Sequence, residues 1–576
     1  MIGALTLYLV VLASPAGAAP AGVPLDQTAK PRPTGSEVTG AKGVVAADHE
    51  LASRIGIEVL REGGNAVDAA VATTLALGVL NPQSSGIGGG GFAVIWHAKE
   101  AAAYAVDFRE TAPAAAARDT YTKAGVTPQM SRFGGLAVGV PGEVAGLAEM
   151  HRRWGTLPWK RLVAPAVKLA AQGYPCGVEL QAVFTRYGTK LRMAPALAKL
   201  FIKPDGSWPK VGEPIVRPGL AKTLKAIGDS GQKAFYEGPI AAAMAKVAQD
   251  ADGLLTEADL KAYRTKERTP LKGAYRGRTI YTMPPPSSGG AVLLQVLGML
   301  EARKGVSPEF GDPVRVGLLV EALKHAFADR ARWYGDPDFS TIPLDRLLSP
   351  AALKAKAAAL TPAKTRPAEE YGVIAPPPDD SGTSHLSIID ADGNAVALTS
   401  TVNTGFGSLL VAGDTGIVLN NEMDDFTTHP GKPNAFGLMQ SEHNSVAAGK
   451  RPLSSMTPTV VIEGSGPTAR PVLVVGGSGG PRIITGTLQV LLNVLDHGDH
   501  PGHAVAAPRI HHQWMPDKLR VEAGAIKGGT APLLKAGHVI DVTPQSYGAI
   551  QAAIVDSQGR RVGASDPRKH GQAAAY

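Results

Sequence analysis

The segment Thr383–Asn403, TSHLSIIDADGNAVALTSTVN, constrains the fold more than any other part of the chain. It alternates, so Thr383, His385 and Ser387 fall on one face of a strand and Leu386 and Ile388 on the other. A second alternating run follows Asp392-Gly393, a dipeptide suited to a hairpin turn. A two-residue turn sets Thr401 opposite Ser384, and a three-residue turn sets it opposite Thr383. Either register brings the Thr401 hydroxyl within about 5–8 Å of Thr383. Two adjoining hydroxyls alone favour plain cross-strand threonine pairing.

The preceding residues 361–382, TPAKTRPAEEYGVIAPPPDDSG, are rich in Pro, Gly and charge and lack apolar periodicity, which predicts an exposed linker. Thr383 directly follows Gly382 at the end of this linker. A hydroxyl that attacks its own preceding carbonyl needs unusual backbone geometry, which glycine tolerates. Cleavage there leaves Thr383 with a free α-amine, a local base with a pKa of about 7.7–8.

Helices account for much of the remaining pattern. Residues 48–80 read as two helices broken at Gly63-Gly64, the second apolar nearly all round and so placed between layers. Segments 141–152, 157–172, 238–250, 288–303 and 315–334 also carry helical apolar spacing. Long helices followed by runs of strands predict a layered α/β or α+β fold. The 576 residues, 44% hydrophobic, suffice for a large core of one or two units.

The net charge of +8 is dilute over this length and forms no basic run interleaved with aromatics, which argues against nucleic-acid binding. Cys176 is the single cysteine, so there is no internal disulfide and no cysteine-rich metal site; a buried structural thiol is expected. Ile2–Leu12 is apolar and Ala16-Gly17-Ala18 has a small-residue cleavage pattern, so residues 1–18 read as a signal peptide and the protein as exported, periplasmic or extracellular. No later run approaches the roughly 18 apolar residues of a membrane span.

Several motifs carry a family resemblance. GTSHLSIIDADGNAVALTSTVNTGFG, NNEMDDF, KRPLSSMTPT and GGSGGPRIITG resemble γ-glutamyltransferases (γ-glutamyl transpeptidases, glutathione hydrolases) of the N-terminal nucleophile superfamily. SSGIGGGGFAV, DFRETAPAAA, MPPPSSGG, DRARWYGDPDF and APRIHHQWMPD extend it from about residue 40 to the C-terminus. The resemblance implies a four-layer αββα sandwich. It also implies self-cleavage between Gly382 and Thr383, into a large subunit from residue 19 to 382 and a small subunit from 383 to 576 that stay together as a heterodimer.

By the same resemblance Thr383 is the nucleophile and Thr401 orients it. Arg109, Ser454 and Ser455 hold the α-carboxylate of a γ-glutamyl group, for which the planar fork of arginine is suited. Asn403, Glu422 and Asp425 receive its α-amino group, and the N–H groups of Gly479 and Gly480 form the oxyanion hole. Donors would be glutathione and other γ-glutamyl compounds, and acceptors water, amino acids or dipeptides, with no cofactor and no metal. The stretch TTHPGKPNAFGLM matches a lid loop, with Phe436 where a tyrosine often stands, so a looser closure is expected. Asp425 argues against a glutaryl-type cephalosporin acylase, whose side chain has no ammonium. An uncleaved, non-catalytic protein that binds γ-glutamyl compounds is a further alternative.

Other signals point elsewhere. Gly86–Gly91 satisfies GxGxxG but runs into a strand, so no nucleotide site is expected. Gly476–Gly480 satisfies GxSxG between a strand and a helix, which makes Ser478 an alternative nucleophile served by Asp496 and His511 or His512. His497, His500 and His503 are separated by helix breakers and are expected to cap or face solvent.

Overall fold

Helix α1 (Glu50–Arg61) and helix α2 (Ala66–Leu80) lie where the sequence sets them, with Gly63 at φ +93 between them. Asn65 caps α2 by accepting the N–H groups of Val67 and Asp68, and Asp68 accepts from the Asn65 N–H in return. Every α2 residue except Gly78 is buried, as expected of a helix held between layers. The structure is a computed structural model that describes residues 36–303, 309–372, 382–429, 441–543 and 548–576. The expected signal peptide, linker residues 373–381 and the lid position Phe436 lie outside the described residues.

The chain begins with β1 (Ser36–Gly40) and β2 (Val44–Ala47), and after α2 forms the hairpin β3 (Gly90–His97) and β4 (Ala102–Phe108). Helices α3 (Glu143–Trp154), α4 (Trp159–Gln172) and α5 (Pro239–Gln249) precede β5 (Lys266–Arg268), β6 (Leu271–Tyr275) and β7 (Arg278–Thr282). Helices α6 (Gly289–Ala302) and α7 (Pro313–Trp333) follow. The C-terminal part adds β8 (Ser384–Ile389), β9 (Ala395–Thr401), β10 (Thr459–Glu463), β11 (Arg470–Ser478), α8 (Arg482–His497), β12 (Ala549–Val555), β13 (Arg561–Ser565) and β14 (Gln572–Ala575). All five helices expected between residues 141 and 334 form within two or three residues of their predicted bounds.

These strands make two antiparallel sheets. One has the order β14-β2-β8-β9-β3-β4-β5 and the other β1-β13-β12-β11-β10-β7-β6. An apolar layer that includes Phe92, Val94, Trp96, Ile389, Val460 and Val474 lies between them. Helices α1, α2 and α3 pack on the outer face of the first sheet, with α4 behind α2, and α6 and α8 pack on that of the second, with α7 behind α6. The arrangement is the four-layer αββα sandwich. No helix among the described residues is long and apolar enough to cross a membrane.

The hairpin β8–β9 takes the second of the two expected registers: Ser384 pairs with Ser400, which places Thr401 beside Thr383. Leu386 and Ile388 enter the core shared with α2, while His385 and Ser387 face the other sheet. There His385 Nδ1 lies 2.8 Å from Thr399 Oγ1, and Ser387 Oγ donates to the Gln551 carbonyl at 3.1 Å. A one-residue slip would carry these polar groups into the apolar helix layer, at a cost of roughly 2–7 kcal/mol for each one left unpaired. The polar–apolar alternation thus sets the register that joins the two threonines.

Candidate active site

Thr383 stands one residue before β8 and Thr401 is the last residue of β9, so the mouth of one hairpin presents both hydroxyls. Their Oγ1 atoms are 3.2 Å apart. The Thr383 hydroxyl also contacts the Gly382 carbonyl, and Thr401 Oγ1 donates to that carbonyl at 2.8 Å. Thr401 Oγ1 in turn accepts the Asn403 N–H at 2.8 Å, which fixes its orientation. Asn403 sits at φ +77, a conformation asparagine tolerates better than most residues. Its Nδ2 donates to the Asn421 carbonyl at 3.0 Å, which leaves Oδ1 as an acceptor.

A cavity opens in front of Thr383. Thr401, Asn403, Arg109, Glu422, Asp425, Ser454, Ser455 and Gly480 line it together with Thr383, so the structure brings nearly all the expected residues onto one space. Gly479 is one position removed from it, at φ +123, and Gly480 follows at φ +58 just before α8. Such positive φ values suit glycine, and the turn sets their N–H groups near a helix N-terminus.

The charged groups pair among themselves. Arg109 donates to Glu422, to Asp425 Oδ2 at 2.5 Å and, through Nε, to the Pro452 carbonyl at 3.2 Å. Burial opposes the charge of Arg109, but Glu422 and Asp425 outweigh it and hold the guanidinium above its ordinary value. Burial raises Asp425 and raises Glu422 further, and it pushes Glu110, 3.9 Å from Arg109, up to about 7. Arg109 therefore faces three buried carboxyls, Glu110, Glu422 and Asp425.

Ser454 Oγ accepts the Met456 N–H at 3.1 Å, as in a serine turn. Its hydroxyl proton stays available to a ligand. The Ser454 carbonyl accepts from the Ser288 N–H and hydroxyl at 2.9 and 2.7 Å, which clasps this loop to the start of α6.

Sequence reasoning missed Arg330, which also lines the cavity and is 1% exposed. Its Nε donates to Ser288 Oγ at 2.9 Å, and its Nη1 has no hydrogen-bond partner. Burial lowers it to about 10, with Asp425 acting in the opposite sense. The available signal was a charged residue continuing the apolar stripe Leu319, Leu323, Phe327 of α7.

The strand–turn–helix around Ser478 forms as expected, but its supposed partners are elsewhere. Asp496 accepts from Tyr275 and Arg276, His511 lies against Thr485 and Gln513, and His512 against Asp517. Ser478 Oγ instead accepts from Lys569 Nζ at 3.2 Å, and that ammonium is ion-paired with Asp48 at 2.8 Å. With Asp496, His511 and His512 engaged elsewhere, the acid and histidine expected for Ser478 do not serve it, which removes the support for Ser478 as nucleophile. The GxGxxG glycines enter β3, and a Cβ on Gly89 would fall 1.9 Å from the Thr401 carbonyl oxygen, so close backbone approach explains that glycine. Cys176 is a free, buried thiol. His497 ends α8 and His500 immediately precedes a short helix, Pro501–Ala506.

Comparison with known proteins agrees with this geometry. The profile of the Gamma-glutamyltranspeptidase family matches residues 52–576. The glutathione hydrolase proenzyme of Escherichia coli is 42% identical over 535 residues, 92% of this chain and 91% of that protein. The proenzyme of the same name from Pseudomonas aeruginosa is 41% identical over 542 residues, covering 92% and 94%. Among solved structures, a cephalosporin acylase from Bacillus halodurans superposes with a TM-score of 0.81 at 28% identity, covering 96% of this chain and 99% of that one. Helicobacter pylori γ-glutamyltranspeptidase gives 0.54 at 39% identity, covering 55% of this chain and 92% of that one. With a family match over nearly its whole length and relatives above 40% identity, the chain belongs to the γ-glutamyltranspeptidase family.

Proposed function

We propose that the protein is a γ-glutamyltransferase and glutathione hydrolase that cuts its own chain before Thr383 and then uses that threonine as nucleophile. The observation that carries this reading is the Thr383 hydroxyl, set against the Gly382 carbonyl at the edge of a cavity where Arg109 faces Glu422 and Asp425. In maturation, Thr383 Oγ1 attacks the Gly382 carbonyl carbon while the Thr401 hydroxyl donates to its oxygen. The peptide C–N bond breaks, the nitrogen becomes the α-amine of Thr383, and water hydrolyses the resulting ester to a Gly382 carboxylate and a free hydroxyl. Residues up to 382 then form the large subunit and residues from 383 the small one.

In turnover the γ-glutamyl group inserts its zwitterion into the internal ion pair. Its carboxylate takes Arg109, Ser454 and Ser455, and its ammonium takes Glu422, Asp425 and Asn403 Oδ1. The α-amine accepts the proton of Thr383 Oγ1 as this oxygen attacks the γ-carbonyl carbon. The N–H groups of Gly479 and Gly480 receive the oxyanion, and the departing amine leaves with a proton. Water, or the amino group of an amino acid or dipeptide, then takes the γ-glutamyl group from the ester. The sequence of residues 1–18 adds export to this reading.

The whole-chain likeness to a cephalosporin acylase raises a glutaryl substrate as a second reading. Glu422 and Asp425 weigh against it, because a glutaryl group gives two buried carboxyls no ammonium to meet. A denaturing gel with N-terminal sequencing tests the proposal: the wild type should yield two chains, one beginning at Thr383, and release aniline from a γ-glutamyl anilide. Thr383→Ala should remain one inactive chain. A wild type that stays whole and inert would overturn the reading.

A further inference from the structure

Lys569 has no part in the mechanism above, yet its ammonium touches both halves of the site. Its Nζ donates to Asp48 Oδ2 at 2.8 Å, to the Thr383 carbonyl, and to Ser478 Oγ at 3.2 Å. These three acceptors use all three N–H bonds of an ammonium. The lysine is held firmly from behind. It ends a short turn, Pro567–Lys569, capped by Asp566, which itself is buried between Arg509 at 2.6 Å and Arg568 at 3.0 Å.

Asp48 follows directly on β2, where that strand ends. The ladder between β8 and β2 reaches only the pair Leu386–Ala47. Beyond it, Asp48 Oδ2 accepts the His385 N–H at 3.2 Å, and Lys569 donates to the Thr383 carbonyl. Two side chains thus continue the backbone ladder to the residue where cleavage would occur. Asp48 is itself anchored, since its Oδ1 accepts from Gln551 Nε2 at 2.5 Å.

We infer that Lys569, held by Asp48, is a positioning residue that fixes the nucleophile relative to the oxyanion-hole turn. The inference rests on the proposed function. A threonine freed at its amino side keeps a peptide bond on one side only, and chain termini fray unless tied down. Lys569 ties the remaining carbonyl of Thr383 to the end of β11, whose next two residues are Gly479 and Gly480. Those groups lie on different sheets, and the ammonium bridges them. Substrate contacts at Arg109, Glu422 and Asp425 do not pass through this lysine, so its loss should slow the chemical step and leave donor binding intact.

The test compares wild type, Lys569→Met, Lys569→Arg and Ser478→Ala, each as the full chain. Maturation is followed by denaturing gel, and kcat and KM are measured with a γ-glutamyl anilide. In the Met variant kcat should fall roughly 10–100-fold, the scale of a lost charge-assisted hydrogen bond, with KM within about twofold. Arginine should restore at least about tenfold of that loss, since it keeps the charge and the donors. Ser478→Ala should mature normally and lose roughly threefold or more in kcat, and it decides the matter if the Met variant does not fold. An active wild type with Met and Ala variants of unchanged kcat would overturn the inference, as would a rise in KM alone or an arginine variant no better than methionine. A wild type that neither matures nor turns over would instead overturn the proposed function.

Discussion

Arg109 and Asp425 illustrate how one contact serves two states. In the present structure they bond at 2.5 Å, and Glu422 completes the neutralisation. Leaving a buried guanidinium alone would be far more costly than pairing it, so Arg109 is held by the carboxyls beside it. A zwitterion replaces that pair with two new ones and changes the net charge of the site by nothing. A glutaryl group brings only the negative end. Asp425→Ala should therefore lower kcat/KM for a γ-glutamyl anilide about 100-fold, near the 1.5–3 kcal/mol of a charged hydrogen bond. The same variant should leave glutaryl anilide hydrolysis unchanged or raise it, because Arg109 is less occupied. Equal losses on both substrates would mean that Asp425 only holds Arg109 in place.

At the scale of elements, the end of β9 depends on the loop that feeds β3. Gly89 passes so close that an added Cβ would sit 1.9 Å from the Thr401 carbonyl oxygen, a backbone atom that can yield only by moving the strand. Gly89→Ala should displace Thr401 from Gly382 and cost about 1–3 kcal/mol as an overpacked site. Cleavage before Thr383 should slow at least tenfold on a denaturing gel time course; unchanged maturation would contradict the geometry. The same elements show how far the sequence could be read. The alternation in β8 and β9 contains both the hairpin and its two registers, because a period of two is a local property. The α1–α2 break was legible for the same reason, from Gly63-Gly64. Lys569 was not, since the contact that gives it meaning lies 186 residues away at Thr383 and depends on where β2 ends. Nor could the sequence reveal that Arg109 spends its fork on Glu422 and Asp425, because the residues that would bind a zwitterion are also those that neutralise each other without one.

The distribution of strands between the proposed subunits decides what cleavage does to the whole molecule. Residues before 383 supply β1 to β7 and residues after it β8 to β14, and each of the two large sheets draws strands from both. In the first sheet β2 lies between β14 and β8, and β9 pairs with β3 over seven residue pairs. In the second, β1 and β7 flank the block β13-β12-β11-β10 from either side. The helix-side core mixes the same two origins, with Leu386 and Ile388 packed among the α2 side chains. Separating the chains would strip these ladders and expose that core, whereas the cut itself breaks one peptide bond. The matured protein should consequently elute from gel filtration as one species at the position of the Thr383→Ala precursor, and split into two bands only when denatured. On heating it should unfold in one cooperative transition within a few degrees of the precursor's, because nearly every contact is common to both. Elution of two fragments in native buffer would show that the interleaved sheets do not hold the chains together.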